Sequence, residues 1–137
     1  MLCRITPKLA LIVALMCFSC HRYENKGKEG YTSSEPAKIE IPKPVIDLGR
    51  VKSGDSLIVS FKIINTGDVT FSIEQAVPDC NCMGSDWERR LIPPLDSTFV
   101  TVRYDTQFPG YFMQKVTLYS NAEGPPRVLV FRGKVEI

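Results

Sequence analysis

This sequence contains one histidine, His21, and one tryptophan, Trp87. Because His21 lies outside the region rich in strand-forming residues, a Ser–His or Cys–His pair within that region is excluded. The sequence also lacks a His-Glu-x-x-His motif, a phosphate-binding glycine-rich loop and a dinucleotide fingerprint. Scattered acidic residues are usually only solvated; those that could still serve acid–base chemistry are Asp79, Asp86, Glu88, Asp96 and Asp105. We therefore predict a protein that is not an enzyme, with no catalytic residue, no cofactor and no resident metal.

An excess of basic charge is also missing. The chain has 17 basic and 15 acidic residues, and removing residues 1–19 takes away Arg4 and Lys8, which leaves 15 of each sign. Proteins that bind nucleic acid normally show a basic excess or a basic stripe. We therefore expect no nucleic-acid partner.

No apolar run is long enough to cross a membrane as a helix. The longest, residues 9–18, is about half of the roughly 20 residues required. Arg4 and Lys8 precede it and the small residue Ser19 follows it, which is the layout of a secretory signal. A signal that ends at a cysteine resembles the bacterial lipoprotein signal, which implies that Cys20 is lipidated and becomes the mature N-terminus. Cys17 is a weaker candidate, because the bulky Met16 precedes it.

The sequence divides into three segments. Residues 1–19 are predicted to be a lipoprotein signal peptide, residues 20–37 a lipidated cysteine and flexible tether, and residues 38–137 one folded domain. Residues 21–37 contain no Val, Ile, Leu, Phe or Met, so they cannot bury enough apolar surface to offset their ordering entropy. The loose signal pattern resembles that of Bacteroidetes lipoproteins. His21, rather than Asp, after the cysteine resembles lipoproteins sent to the outer membrane, so we expect a domain facing the periplasm or the exterior.

Residues 38–137 show the period of two that is typical of half-buried strands. The predicted strands are residues 39–41, 45–48, 56–65, 69–77, 97–105, 112–120 and 127–135. Pro42 and Pro44 assign the first two to sheet edges. Residues predicted to lie in the core are Phe61, Ile63, Val102, Val116, Leu118 and Leu129. Short strands with frequent turns predict an all-β, antiparallel sandwich of about seven strands, with at most a short helical turn in residues 84–94.

Several segments of residues 45–135 form a recognisable set. In chain order they are Ile46-Asp47-Leu48-Gly49-Arg50-Val51 with Gly54, Asn65-Thr66-Gly67, Cys80-Asn81-Cys82, Gly110 with Gln114-Lys115 and Ser120-Asn121, and Arg132-Gly133-Lys134-Val135. Together these segments resemble a bacterial family, domain of unknown function 1573. The resemblance implies an immunoglobulin-like sandwich, akin to ASH, HYDIN and PapD-like domains, and it implies no activity. The sequence departs from the family at Asn81, where glycine is usual, and at Leu95, where a Pro-Gly turn is usual after Pro94.

Cys80 and Cys82 are the only cysteines in the predicted domain. They could form a disulfide in an oxidising compartment, bind a soft metal such as Cu(I) or Zn, serve in thiol redox chemistry, or simply pack as small apolar side chains. A lone Cys-x-Cys does not decide among these.

Two surfaces are candidates for partner binding. Trp87 with Arg89 and Arg90 has the composition of a binding hot spot, although Trp87 could instead plug the end of the sandwich. Val128 and Val130 lie on the last strand, which could accept a partner strand if it formed an open edge, as PapD-like domains do by resemblance. The sequence thus predicts a non-enzymatic envelope lipoprotein that binds a protein or glycan; the alternative is a thiol-redox or soft-metal protein acting through Cys80 and Cys82.

Overall fold

A computed structural model describes residues 35–137 of the chain, so the predicted signal peptide, the lipidation of Cys20 and most of the tether lie outside the described residues. The described part has eight strands and no helix. The strands are β1 (Ile39–Glu40), β2 (Val45–Lys52), β3 (Ser56–Asn65), β4 (Ile73–Pro78), β5 (Met83–Trp87), β6 (Ser97–Asp105), β7 (Gly110–Ser120) and β8 (Arg127–Glu136). Consequently, nothing in residues 35–137 could cross a membrane as a helix.

The strands form two four-stranded sheets, which confirms the predicted immunoglobulin-like sandwich. The first sheet has the order β1-β3-β6-β5 and the second has the order β2-β8-β7-β4. All pairs are antiparallel except β2 with β8, which is parallel. The bounds of β3 and β6 are those predicted from alternation, because each strand has one buried and one solvated face.

The core lies between the two sheets. All six residues predicted for it are buried, with Ile63, Val102 and Leu118 fully inaccessible to solvent. Phe61 faces Val100 across the β3–β6 pair. The predicted faces of these strands are therefore correct, because a register error of one residue would have exposed the whole set.

In the strand predicted at residues 69–77, the residues that face the core differ from the prediction toward the C-terminal end. Phe71 is buried, but Gln75, which we expected on the same face, is exposed, and Ala76 is buried instead. The pairing of β4 with β7 shifts between Ile73 and Gln75. Such a bulge inserts one extra residue, which reverses the direction of every side chain that follows it.

The prediction of a helical turn within residues 84–94 is wrong. β5 occupies the start of this segment and pairs with β6, with Ser85 opposite Val102 and Trp87 opposite Val100. The sequence did not indicate β5, because it contains Gly84 and Asp86. Gly and Asp are depleted in strands, so they weaken the strand pattern.

The two proline-flanked strands lie at sheet edges, as predicted. β1 is at the edge of the first sheet and β2 is at the edge of the second. Pro42 and Pro44 lie in the connection between them, where the chain leaves one sheet for the other and a missing backbone donor costs no ladder bond.

Asn65 joins three segments at one end of the sandwich. Its buried side chain donates from Nδ2 to the carbonyl oxygens of Val69 (2.9 Å) and Ile92 (3.0 Å). Its Oδ1 accepts a hydrogen bond from the backbone N–H of Gly67 at 3.1 Å. A buried amide is tolerated where its donors and acceptor have hydrogen-bond partners. The Asn65 side chain therefore holds the turn after β3 and the segment around Ile92 together.

Candidate functional site

Cys80 and Cys82 are joined by a disulfide in the turn between β4 and β5. Cys80 is half-buried and packs against the core, whereas Cys82 is exposed. The Cys80 sulfur lies 4.0 Å from Oε1 of Gln114 on β7. In this state the pair has no thiol, so it offers neither a nucleophile nor a thiolate ligand.

The metal alternative needs more ligands than this corner supplies. Zinc normally takes four Cys, His or carboxylate ligands in a structural site. Across residues 35–137 there is no group of three His, Cys, Asp or Glu side chains arranged to hold a metal ion.

Trp87 packs against the core and is only partly accessible. Its Nε1–H is buried and has no hydrogen-bond acceptor in the described part of the chain. The guanidinium of Arg89 lies 4.8 Å from the centre of the indole ring and also approaches Oδ1 of Asp86 at 4.0 Å. Most of the indole thus closes the sandwich, and the exposed side chains beside it are those of Arg89 and Asp86.

Arg90 contacts a different set of groups from Arg89. Its Nε donates to Glu88 Oε2 at 2.7 Å, and its terminal nitrogens donate to Asp96 Oδ2 at 2.9 Å and to the Ser97 carbonyl at 3.0 Å. The hydrogen bonds to Glu88 and then Asp96 raise the pKa of Arg90. The pKa of Asp96 is lowered, first by the backbone N–H of Ser97 and then by Arg90. Arg90 therefore fastens the β5–β6 connection to β6.

The hypothesis that β8 is an open edge is wrong. β8 lies between β2 and β7 and is paired on both sides, so its backbone has no free ladder position opposite those strands. Val128 and Val130 still point outward, and Val128 is 47% exposed. Within the described residues, the edge strands are instead β1, β5, β2 and β4. The part of β3 before Ile64 is also open on one flank, because β1 pairs only with Ile64 and Asn65.

The outer face of the second sheet carries a groove of about 610 Å³. Two cross-strand rows of side chains form it. The residues of the first row are Asp47, Arg132 and Met113, and those of the second are Arg50, Lys134 and Tyr111. We call this site the bulge groove. Pockets of this size, with an apolar surface and a few polar groups, are the usual form of ligand sites.

A bulge in β2 makes the groove possible. Asp47 pairs with Arg132 and Arg50 with Lys134, so three steps along β2 match two along β8. Without the extra residue, Asp47 and Arg50 would point to opposite faces, because side chains alternate along a strand. Gly49 permits the bulge, since its φ is +64° and its N–H donates to Asp47 Oδ1 at 2.9 Å.

Gly133 lets the bulge approach β8 closely. A Cβ at Gly133 would lie 2.9 Å from the carbonyl oxygen of Gly49 and 2.9 Å from a ring carbon of Phe112. Any larger residue would push these groups apart. Gly133 thus has a packing role beneath the groove.

The groove has more positive than negative groups. Arg132 Nε donates to Asp47 Oδ2 at 3.1 Å. Lys134 and Arg50 share Glu136, at 3.2 Å and 3.7 Å. Three cations therefore meet two carboxylates. The Gly49 N–H, and then Arg132, lower the pKa of Asp47, so Asp47 is ionised at neutral pH.

Sequence reasoning did not identify the bulge groove. The alternation that placed Val116 inward also places Tyr111 and Met113 outward, which was an available signal. The other half of the groove depends on the β2 bulge and on the parallel pairing with β8. Neither feature has a short-range sequence pattern, and Gly49 alone is a weak indication.

Comparison with known proteins shows the family and the fold. The model of the family described as "Protein of unknown function (DUF1573)" matches residues 39–135. No curated protein matches the sequence. A structure of a protein of unknown function from Porphyromonas gingivalis W83 has a TM-score of 0.64 and 15% identity, covering 79% of this chain and 51% of the other. This chain therefore spans about half the length of that protein.

Two further structures share the fold at low identity. PapD-like domain 7 of human CEP192, an ASH domain, has a TM-score of 0.56 and 12% identity, covering 74% of this chain and 87% of the other. The VesB protease of Vibrio cholerae has a TM-score of 0.56 and 14% identity, covering 76% of this chain and 32% of the other. Such identities carry the fold and no function. With the family model matched along both sheets, the chain belongs to the DUF1573 family.

Proposed function

We propose that this protein is a non-enzymatic lipoprotein of the bacterial cell envelope whose immunoglobulin-like domain binds a protein or glycan partner. Lipidation at Cys20 holds it on a membrane, with the outer membrane favoured, and residues 20–37 give the domain reach from the surface. The sequence of the first 20 residues supports the anchor, because a secretory layout ends there at a cysteine.

One observation supports the binding role most: the outer face of the second sheet keeps large apolar side chains in solvent. Those more than two-fifths exposed are Val45, Val77, Tyr111, Met113, Tyr119 and Val128. Contiguous exposed apolar surface rimmed by polar groups marks interaction sites. The bulge groove lies on the same face, so this face is the proposed contact surface.

The chemistry of the domain favours binding over catalysis. The sequence has no histidine in residues 38–137, and Arg90, Asp96 and Glu88 are engaged with one another. Cys80 and Cys82 form a disulfide, so the thiol-redox alternative has no free thiol to act through. We therefore retain the binding module as the proposed function.

In-cell photocrosslinking tests the contact surface. A photoreactive phenylalanine analogue replaces Tyr111 on the second sheet or, as the matched control, Ile58, which is 66% exposed on the outer face of the first sheet. We expect a slower-migrating adduct from position 111 and none from position 58. Adducts from position 58 alone, or from neither position, contradict the proposed surface.

Fractionation tests the anchor. Cys20→Ala should abolish metabolic labelling by fatty acid and release the protein from the membrane fraction, since the apolar run is removed on cleavage and acyl chains supply the attachment. A variant that is still labelled and membrane-bound would show that the lipid is elsewhere or absent.

A further inference from the structure

We propose that the bulge groove binds a saccharide that carries carboxylate groups, such as a chain of uronic acids. This inference rests on the proposed binding role and specifies its ligand. It follows from the charges around the groove, the exposed aromatic ring in it and the fully paired backbones of β7 and β8 beneath it.

The cations of the groove favour an anionic ligand. Arg132 uses only Nε toward Asp47, so its terminal nitrogens have no partner within the described residues. A guanidinium edge of this kind matches a carboxylate with two parallel hydrogen bonds. The ion pairs of Arg50 and Lys134 with Glu136 are solvent-exposed, so they are weak enough to rearrange around a bound anion.

Tyr111 provides a surface for a sugar ring. Its side chain is 87% exposed, and Lys134 Nζ lies 5.6 Å from the ring centre. Pyranose rings have an apolar face of C–H groups, which can pack on the ring of an aromatic side chain. Tyrosine combines such a ring with a polar hydroxyl at its tip. Met113, beside it in the next row, is 58% exposed and extends the apolar surface.

The floor of the groove favours a saccharide over an extended peptide. Beneath the groove, β8 is paired on both sides and β7 lies between β8 and β4, so neither strand offers a backbone N–H or C=O for a peptide to pair with. β2 is the edge of the sheet, and its unpaired flank lies on the side away from β8. An extended peptide lying there could not add a strand to the sheet, so the main-chain hydrogen bonds that give such binding its affinity are not available to it. Sugar hydroxyls need only side chains, and the ionised carboxylate of Asp47 accepts hydrogen bonds from them.

Titration calorimetry of the mature full-length protein with tetragalacturonate tests the inference. Fully methyl-esterified tetragalacturonate is the matched ligand, since it has the same sugar rings without the charges. We expect the acid to bind at least about tenfold more tightly than the ester, and its affinity to fall as salt is added. Equal affinities, or no binding of the acid at millimolar concentration, overturn the proposal.

Variants tie the binding to the groove. Arg132→Gln and Tyr111→Ala should each weaken binding at least about tenfold while the protein stays folded by circular dichroism, because both side chains lie on the surface. Phe108→Ala is the control, since Phe108 is 82% exposed outside the groove and should bind like the parent. Parent-like affinity in both groove variants refutes the assignment.

Two results separate this inference from the proposed function. If hexaglutamate binds as tightly as tetragalacturonate, the groove recognises negative charge and not the sugar, and the saccharide assignment is wrong. If position 111 crosslinks to a protein in cells and the acid does not bind, the binding module stands and its ligand class is different.

Discussion

Leu95 adopts a backbone conformation that normally belongs to glycine, and replacing it should stabilise the domain. Its φ is +68°, and the N–H of Asp96 donates to the carbonyl oxygen of Pro93 at 3.2 Å. With Pro94 at the second position, this is the arrangement of a type II turn, whose third position requires a positive φ. We therefore expect Leu95→Gly to relieve backbone strain.

The magnitude follows from two opposing terms. A left-handed conformation costs a non-glycine residue about 1–2 kcal/mol, and glycine gives back about 0.5–1 kcal/mol through the greater freedom of its unfolded chain. Leu95 is 88% exposed, so its removal loses little burial. The balance predicts a gain of about 0.5–1 kcal/mol in the free energy of unfolding.

Urea denaturation of the parent and of two variants measures the effect. Leu91→Gly is the matched control, because Leu91 is also exposed, at 69%, but does not have a positive φ. It should lose about 0.5–1 kcal/mol from chain entropy. A loss of stability in both variants would refute the strain at Leu95.

Three further predictions concern the core and the turns. Asn65→Ala removes two buried hydrogen bonds and one partly buried one and should cost about 3 kcal/mol, whereas Thr66→Ala next to it should cost less than about 0.5 kcal/mol. Similar losses in denaturant melts would show that the Asn65 amide does not hold these segments together. Phe61→Ala, at 1% exposure, should cost about 3–5 kcal/mol, and Ile58→Ala, on the outer face, less than about 1 kcal/mol; the reverse order would mean that the strand face is wrong. The lowered pKa of Asp96 contributes stability that is present above the unfolded value of 3.8 and is lost as pH falls through the folded value, so Asp96→Asn should flatten the acid limb of the stability profile. An unchanged acid limb would contradict that linkage.

The core strands could be predicted because their pattern is local. β3 and β6 each alternate over nine or ten residues with one buried face, and this spacing alone predicts which side chains face the core. β5 could not be predicted in this way, because Gly84 and Asp86 carry no strand preference. Its place is decided by pairing with β6, which is a tertiary contact.

The candidate site depended even more on non-local pairing. Trp87 was a reasonable candidate from composition, yet it faces the core, and Arg90 is used to fasten a loop. The bulge groove combines β2 with β7 and β8, which are more than 50 residues further along the chain. Only the parallel β2–β8 register and its bulge bring Arg50 beside Lys134.

Hydroxyl-radical footprinting with solubilised envelope material tests the central claim most directly, because it maps the contact surface whatever the ligand is. Tyr111 and Met113 are reactive side chains that are 87% and 58% exposed, and Phe108, at 82%, is the internal reference outside the groove. The account predicts that envelope material slows oxidation of Tyr111 and Met113 while that of Phe108 is unchanged. Protection confined to Trp87 and its neighbours, or no protection anywhere, would contradict it.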